Sequence, residues 1–238
     1  INLPVLRNWL LSVPNNGTVT ITPYVNFNKQ ADKPKAVAFP PTQYRIVHTT
    51  ALVFNQATVY LNRKTYLIDG YPNVLPSFGA GNSITYEASG GTRPYYYSSS
   101  KPSVAEVDES GLVTVRGNDS ATITVRDSSV PAQTRSYLVF VSNVIRCRSL
   151  GNGTIPTNRA LADNANMRLP SLTEAREIHA AYGNRWPIVG GYYDCTSTFS
   201  HSEWISSYYY VINVKNGDVS THKDHILGGY SNAIGLPR

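Results

Sequence analysis

"YEASGGTRPYYYSSSKPSVAEVDESGLVTVRGNDSATITVRD", residues 86–127, decides how this chain folds. Short runs of alternating β-branched and aromatic residues are parted by turn formers: Gly90-Gly91, Lys101-Pro102, Asp108–Gly111 and Gly117–Ser120. In "ATITV" (121–125), Ala121, Ile123 and Val125 take one face while Thr122 and Thr124 take the other, as period-two patterning requires. With "NSITYEAS" (82–89), "PYYYSSS" (94–100), "SVAEV" (103–107), "GLVTV" (111–115) and "RSYLVFV" (135–141), six short strands follow one another at hairpin spacing. That spacing predicts a β-sandwich. In strand register Tyr95 and Tyr97 share a face and Tyr96 takes the other, so the trio marks a scaffold strand rather than a binding patch.

Outside that stretch the 238-residue chain keeps a strand-rich composition, with 17 Tyr and a single Met. No run approaches 18 apolar residues, so no transmembrane helix is expected. The chain opens at Ile1 without an initiator Met, which points to a processed chain or an excised piece. The net charge of +6 is uneven: residues 1–72 carry seven basic side chains (Arg7, Lys29, Lys33, Lys35, Arg45, Arg63, Lys64) against Asp32 and Asp69. No nucleic-acid motif accompanies the excess, so nucleic acid is not an expected partner and a solvated basic face is. Strand-like runs at 17–27, 43–54 and 57–68 make residues 1–72 a β domain of open topology, an immunoglobulin-like one included.

The last third changes character. In "MRLPSLTEAREIHAAYGN" (167–184), Ser171 and Glu174 stand three apart as a capping box, and Leu172, Ala175, Ile178, His179 and Tyr182 form one helical stripe ended by Gly183. A shorter helix is expected near 156–165. A hairpin is expected over 203–219, turning at Asn216-Gly217. Two cysteines, Cys147 and Cys195, suit one disulfide of an exported protein, and two separate buried thiols are the alternative. A bridge enclosing the 47 intervening residues would contribute roughly 3–4 kcal/mol by chain entropy.

The 86–127 stretch resembles the bacterial immunoglobulin-like domains of the intimin/invasin adhesins. The shared order is a Gly-Gly turn, an aromatic strand, Ser-Ser, Pro-Ser-Val-Ala, Val-Asp, Ser-Gly-Leu-Val and Thr-Ile-Thr-Val. The last third is similar to the lectin-like module that follows such domains, through Cys147, Arg168–Ser171 with Glu174, Trp204, and the Tyr-rich strand before Asn216-Gly217. The resemblance implies a mostly β protein with a small α+β module: immunoglobulin-like sandwiches followed by a C-type-lectin-like domain. The divisions expected are 1–72, 73–143 (the sandwich) and 144–238 (the module). The second cysteine departs from the family pattern, being Cys195 rather than one in the closing strand.

Chemistry is sparse. His201, Glu203, His222, Asp224 and His225 are zinc-ligand types, but they lack helical metal-site spacing and read as polar loop residues open to a partner. No Gly-x-Ser-x-Gly occurs, and no Glu-Pro-Asn, Gln-Pro-Asp or Trp-Asn-Asp. No catalysis, cofactor, metal or calcium-dependent sugar binding is therefore expected. Asn-Gly-Thr at 16–18 and 152–154 read as turns. The long segment 184–204 carries Trp186, Tyr192, Tyr193 and Phe199 without periodicity. Trp186 and Trp204 are expected in the core. Tyr192, Tyr193 and His201 are expected outside, with Asp194 and Asp224 as candidate acidic contacts.

The resemblance implies a secreted or surface-displayed bacterial adhesin-like protein that grips a host receptor or a companion protein through its terminal module. Export would use an outer-membrane barrel. In the alternative the chain is a secreted virulence-modulating effector exported by a separate intimin-like barrel.

Overall fold

The computed structural model describes residues 7–27, 29, 32–48, 50–188, 193–213 and 216–238. Residues 7–48 form a small open unit: helix α1 (Arg7–Ser12), an antiparallel pair Thr18–Ile21 with Thr42–Arg45, and a second pair Tyr24–Val25 with Val37–Ala38. Among its described residues only Val19 is a buried hydrophobic.

The sandwich follows. One sheet runs in the order Tyr96–Ser99, Asp119–Arg126, Thr134–Val141, Val59–Leu61; the other runs Ala105–Val107, Leu112–Val115, Ser83–Thr85. Val113, Ile123, Val125 and Val139 fill the space between them with no solvent exposure. Tyr95 and Tyr97 pack against this core while Tyr96 is 60% exposed, as the alternation requires. Tyr97 joins Phe54, Tyr86 and Tyr137 in one aromatic cluster, with centroids 4.9–6.5 Å apart. Gly90 is positive in φ (+67°), and a Cβ there would collide with the Ala51 carbonyl oxygen, so the Gly-Gly turn is obligatory.

The expected boundary at residue 72 is corrected by pairing. Val59–Leu61 lies parallel to Val139–Val141, and Leu52–Val53 pairs with Ser89–Gly90, so residues 52–61 belong to the sandwich. Gln133 stitches them in, its Oε1 accepting from Leu52 N (3.0 Å) and its Nε2 donating to the Thr50 carbonyl (2.9 Å). Thr65–Ile68 goes further and joins the terminal sheet, parallel to Val144–Cys147. Strand partners far along the chain decide such boundaries, and local patterning does not see them.

Residues 144–238 form the α+β module. Its sheet runs Val219–Lys223, Ser206–Asn213, Tyr193–Glu203, Ser231–Pro237, Val144–Gly153, Thr65–Ile68. The opening strand Val144–Gly153 pairs antiparallel with the closing strand Ser231–Pro237, so the module closes on its own ends. Helix α2 spans Ile155–Asn164 and helix α3 spans Leu172–Tyr182. The capping box of α3 is present: Ser171 Oγ accepts from Glu174 N (3.2 Å), and the Glu174 carboxylate accepts from Ser171 N (2.9 Å).

Strand Thr65–Ile68 ties module to sandwich. Leu67 faces the sandwich core, while Tyr66 and Ile68 enter the module core beside Cys147, Tyr182 and Leu236. Tyr66 and Lys64 both donate to Glu177 of α3 (2.7 and 2.9 Å), and the Tyr182 hydroxyl donates to the Tyr66 carbonyl (3.0 Å). One strand thus supplies both cores.

The expected disulfide is absent. Cys147 and Cys195 are free and buried, in two different core clusters. Their strands are separated by the closing strand. Two strand spacings amount to roughly 10 Å, beyond the ~4.4–6.8 Å Cα separation a disulfide spans. Burial pushes the thiols up, Cys147 to about 12 and Cys195 to about 11.

Candidate functional site

The expected contact residues do not share one surface. Tyr192 lies outside the described residues, as does Val214 of the hairpin. Asp194, expected as an exposed acid, is completely buried; its Oδ2 stands 2.8 Å from His179 Nε2 and its Oδ1 accepts from Asn232 Nδ2 (3.0 Å). It sits within the inner half of strand Tyr193–Glu203, where the sheet packs on α3, and so serves the core. Tyr193 is half-buried, with its ring 5.3 Å from that of His222. His201 and His225 are exposed, and Asp224 is held by Arg159 of α2 at 2.7 Å. Among the described residues no group of three or more His, Cys, Asp and Glu is arranged to hold a metal ion.

What the fold does gather is an apolar end. Strands Tyr193–Glu203 and Ser206–Asn213 turn over at Trp204-Ile205, and both turn residues are fully exposed (104% and 100%). Trp204 takes a left-handed backbone (φ +47°), costly for a non-glycine residue, and so holds its indole out at the tip. The Asp224 amide donates to the Ser207 carbonyl (2.7 Å), which brings loop 224–230 beside the turn. That loop exposes Ile226, Leu227 and Tyr230. The turn joins two strands next to the edge strand Val219–Lys223, opposite Thr65–Ile68, and loop 224–230 leads from that edge strand back to Ser231–Pro237.

Polar and aromatic side chains buttress this end. The His201 ring stacks on Tyr208 (4.5 Å, 3°) with Glu203 3.4 Å from its Nε2. The Arg159 guanidinium lies 4.0 Å over Tyr209 while it holds Asp224, and Phe199 meets the Tyr209 ring edge-on at 5.8 Å. Exposed large apolar residues gathered at one edge mark an interaction surface more than a fold requirement. Trp204, expected in the core, is therefore corrected to a fully exposed residue of this end. The available signal was Trp-Ile inside a turn and Ile-Leu inside a Gly-rich loop, where apolar residues have no local reason to be.

Residues 79–129 match the family described as the intimin, immunoglobulin-like domain. The matched stretch lies within the sandwich and carries its strands from Ser83–Thr85 to Asp119–Arg126. The intimin of Escherichia coli O111:H- is 32% identical over 136 residues, which are 57% of this chain and 13% of that protein. The chain is thus similar to intimin over about half of its own length and spans a small part of that intimin's length. Among solved structures, an EHEC O157:H7 intimin mutant is similar at TM-score 0.42 and 20% identity, covering 64% of this chain and 83% of its own. An intimin–Tir90 complex gives 0.46 and 17%, covering 79% and 100%. An invasin described as a bacterial integrin-binding protein gives 0.35 and 10%, covering 95% and 52%.

Proposed function

We propose that this intimin relative is an adhesin-like protein, displayed on or secreted from a bacterium, that grips a host or companion protein through the apolar end of its terminal module. The observation that carries the reading is the exposure of both Trp204-Ile205 and Ile226-Leu227, the second pair in a loop tied to the hairpin by the Asp224 amide on the Ser207 carbonyl. Large aromatic and aliphatic side chains of this kind become interface anchors when a partner buries them. Export through an outer-membrane barrel, in the same polypeptide or a separate one, belongs to this reading, and the complete reading frame with its gene neighbours distinguishes the two routes.

The test is binding of the purified chain to host-cell surfaces, beside an intimin as positive control. Trp204→Ala with Ile205→Ala removes the tip without touching the core and is expected to abolish binding. Tyr96→Ala, an exposed change on the sandwich, is expected to leave it intact. Equal binding by all three proteins, or none by the unaltered chain, sinks the reading.

A further inference from the structure

The joint between sandwich and module is a continuous ribbon rather than a linker. Val59–Leu61 runs parallel to Val139–Val141 in the sandwich, and Thr65–Ile68 runs parallel to Val144–Cys147 in the module. The same two stretches of chain therefore lie side by side, pointing the same way, on both sides of the boundary. Between the two pairs, residues 62–64 stand opposite 142–143, and hydrogen bonds carry the pairing across that mismatch. Ser142 N donates to the Leu61 carbonyl (3.0 Å), Asn143 Nδ2 to the Asn62 carbonyl (2.8 Å) and Thr65 N to the Asn143 carbonyl (3.0 Å). Asp69 N closes the far end on the Cys147 carbonyl (2.8 Å). Asn143 takes a left-handed backbone (φ +62°) at the point where its strand is one residue shorter.

The two strands of the ribbon are held differently. Val59–Leu61 and Thr65–Ile68 are each the last strand of their sheet. The inner strands are anchored on their other side, Thr134–Val141 by Asp119–Arg126 and Val144–Gly153 by Ser231–Pro237. Asn118 adds a bracket from the sandwich, its side chain accepting from Val144 N (2.8 Å) and donating to the Val144 carbonyl (2.9 Å). Leu61, Val139 and Val141 on one side of the boundary, and Tyr66, Ile68 and Cys147 on the other, are buried and keep water from the ribbon. On the outer face the Tyr60 ring stacks on Phe140 across the two strands (5.3 Å, 12°).

Direction decides how such a ribbon fails. Pulling the start of one strand against the end of its parallel neighbour loads all the bonds between them together, whereas pulling both strands apart at one end breaks the bonds singly. Tension entering through residues 7–48 reaches the start of the outer strand, past the two-residue pairing at Leu52–Val53. Tension entering through the module reaches the inner strand from its far end, because Val144–Gly153 lies between the outer strand and the rest of the module's sheet.

We propose that Val59–Ile68 and Val139–Cys147 form a mechanical clamp, which lets the chain bear tension between its first unit and its terminal module. The clamp is a property of the fold. Its use in adhesion rests on the docking reading, since a gripped partner is what supplies the tension.

The test needs no receptor: single-molecule pulling of the full chain at constant load, through handles on introduced cysteines, Cys147 and Cys195 being buried. Thr58→Cys with Ser149→Cys pulls lengthwise, from the start of one strand to a point beyond the paired end of the other. Thr58→Cys with Leu138→Cys pulls the same ribbon crosswise at one end, since each residue precedes the paired Val59 and Val139. All three positions are exposed. Opening is expected to be at least about tenfold slower lengthwise at the same load, because several bonds must break in a single step. Asn143→Gly keeps the left-handed backbone and removes the bond to the Asn62 carbonyl. It is expected to shorten the lengthwise lifetime several-fold and to leave the crosswise one unchanged. Equal opening rates in the two directions, or an Asn143→Gly effect that is the same in both, overturn the clamp. Failure of the docking reading shows instead as absent cell binding by the unaltered chain, whatever the pulling shows.

Discussion

His179 Nε2 lies 2.8 Å from Asp194 Oδ2 in the interior of the terminal module, joining α3 to strand Tyr193–Glu203. Asp194 has no solvent exposure, and Asn232 satisfies its other oxygen, while the His179 ring packs 5.0 Å from Trp186. Burial raises the Asp194 carboxyl, with the hydrogen bonds from His179 and Asn232 opposing it. Removing one member strands the other. His179→Ala is therefore expected to destabilise the module by about 3–5 kcal/mol, measured by urea unfolding. His179→Asn, which keeps a donor, should cost less.

The two thiols make a redox prediction. Native protein should not react with a thiol reagent, and denatured protein should react at both of its cysteines. Burial keeps each thiol protonated at neutral pH, which removes the nucleophile. Reductant should leave the melting temperature unchanged. A drop of several degrees would show that the thiols are bridged.

Acid should attack the start of α3. Arg168 grips both Glu174 oxygens at 2.7 Å, and that ion pair, with the Ser171 cap, outweighs desolvation and lowers Glu174 from 4.5 to about 2. A carboxylate depressed in this way stabilises fully above pH 4.5 and loses its contribution as pH falls toward 2. Glu174→Gln should cost about 0.5–2 kcal/mol at pH 7 and flatten the stability curve across that window, read by circular dichroism.

A parallel case sits in the sandwich. Burial alone would raise Asp127, but hydrogen bonds from the Gln133 backbone, Ser129 and the Thr92 backbone prevail and hold it near 2. Asp127→Ala leaves those donors without their acceptor beside the Gly90-Gly91 turn. It is expected to lower the midpoint of sandwich unfolding more than the exposed change Glu109→Ala does.

Arg159 is a positioning residue for the apolar loop. Its pair with Asp224 is partly exposed, so a double-mutant cycle of Arg159→Ala and Asp224→Ala is expected to give a coupling of about 1 kcal/mol or less. The larger effect of Arg159→Ala should fall on cell binding, since loop 224–230 loses its anchor on α2. Equal binding by Arg159→Ala and the unaltered chain would remove that role.

Much of the scaffold is legible in residues 82–141 and 171–183, because their information is local. Alternation sets which face of "ATITV" is buried, and the spacing from Ser171 to Glu174 closes one helical turn, so neither needs a distant partner. The candidate site is not legible in the same way. Asp194 and His201 occupy one strand, yet its inner half faces α3 and its outer half reaches the exposed end. Trp186 and Trp204 look alike in sequence, yet one packs on His179 and Tyr182 while the other caps a turn.

By itself, then, the sequence determined the sandwich strands, the register of Tyr95–Tyr97 and the capped helix, all set by dihedral preference and period-two or period-3.6 patterning. Only the tertiary structure decided that residues 52–68 leave the first unit, that Cys147 and Cys195 stand two strands apart, and that Trp204 and Leu227 share one exposed end. Those three outcomes depend on which distant strands pair, a choice made by summed burial and hydrogen bonding over the whole sheet rather than by neighbouring residues.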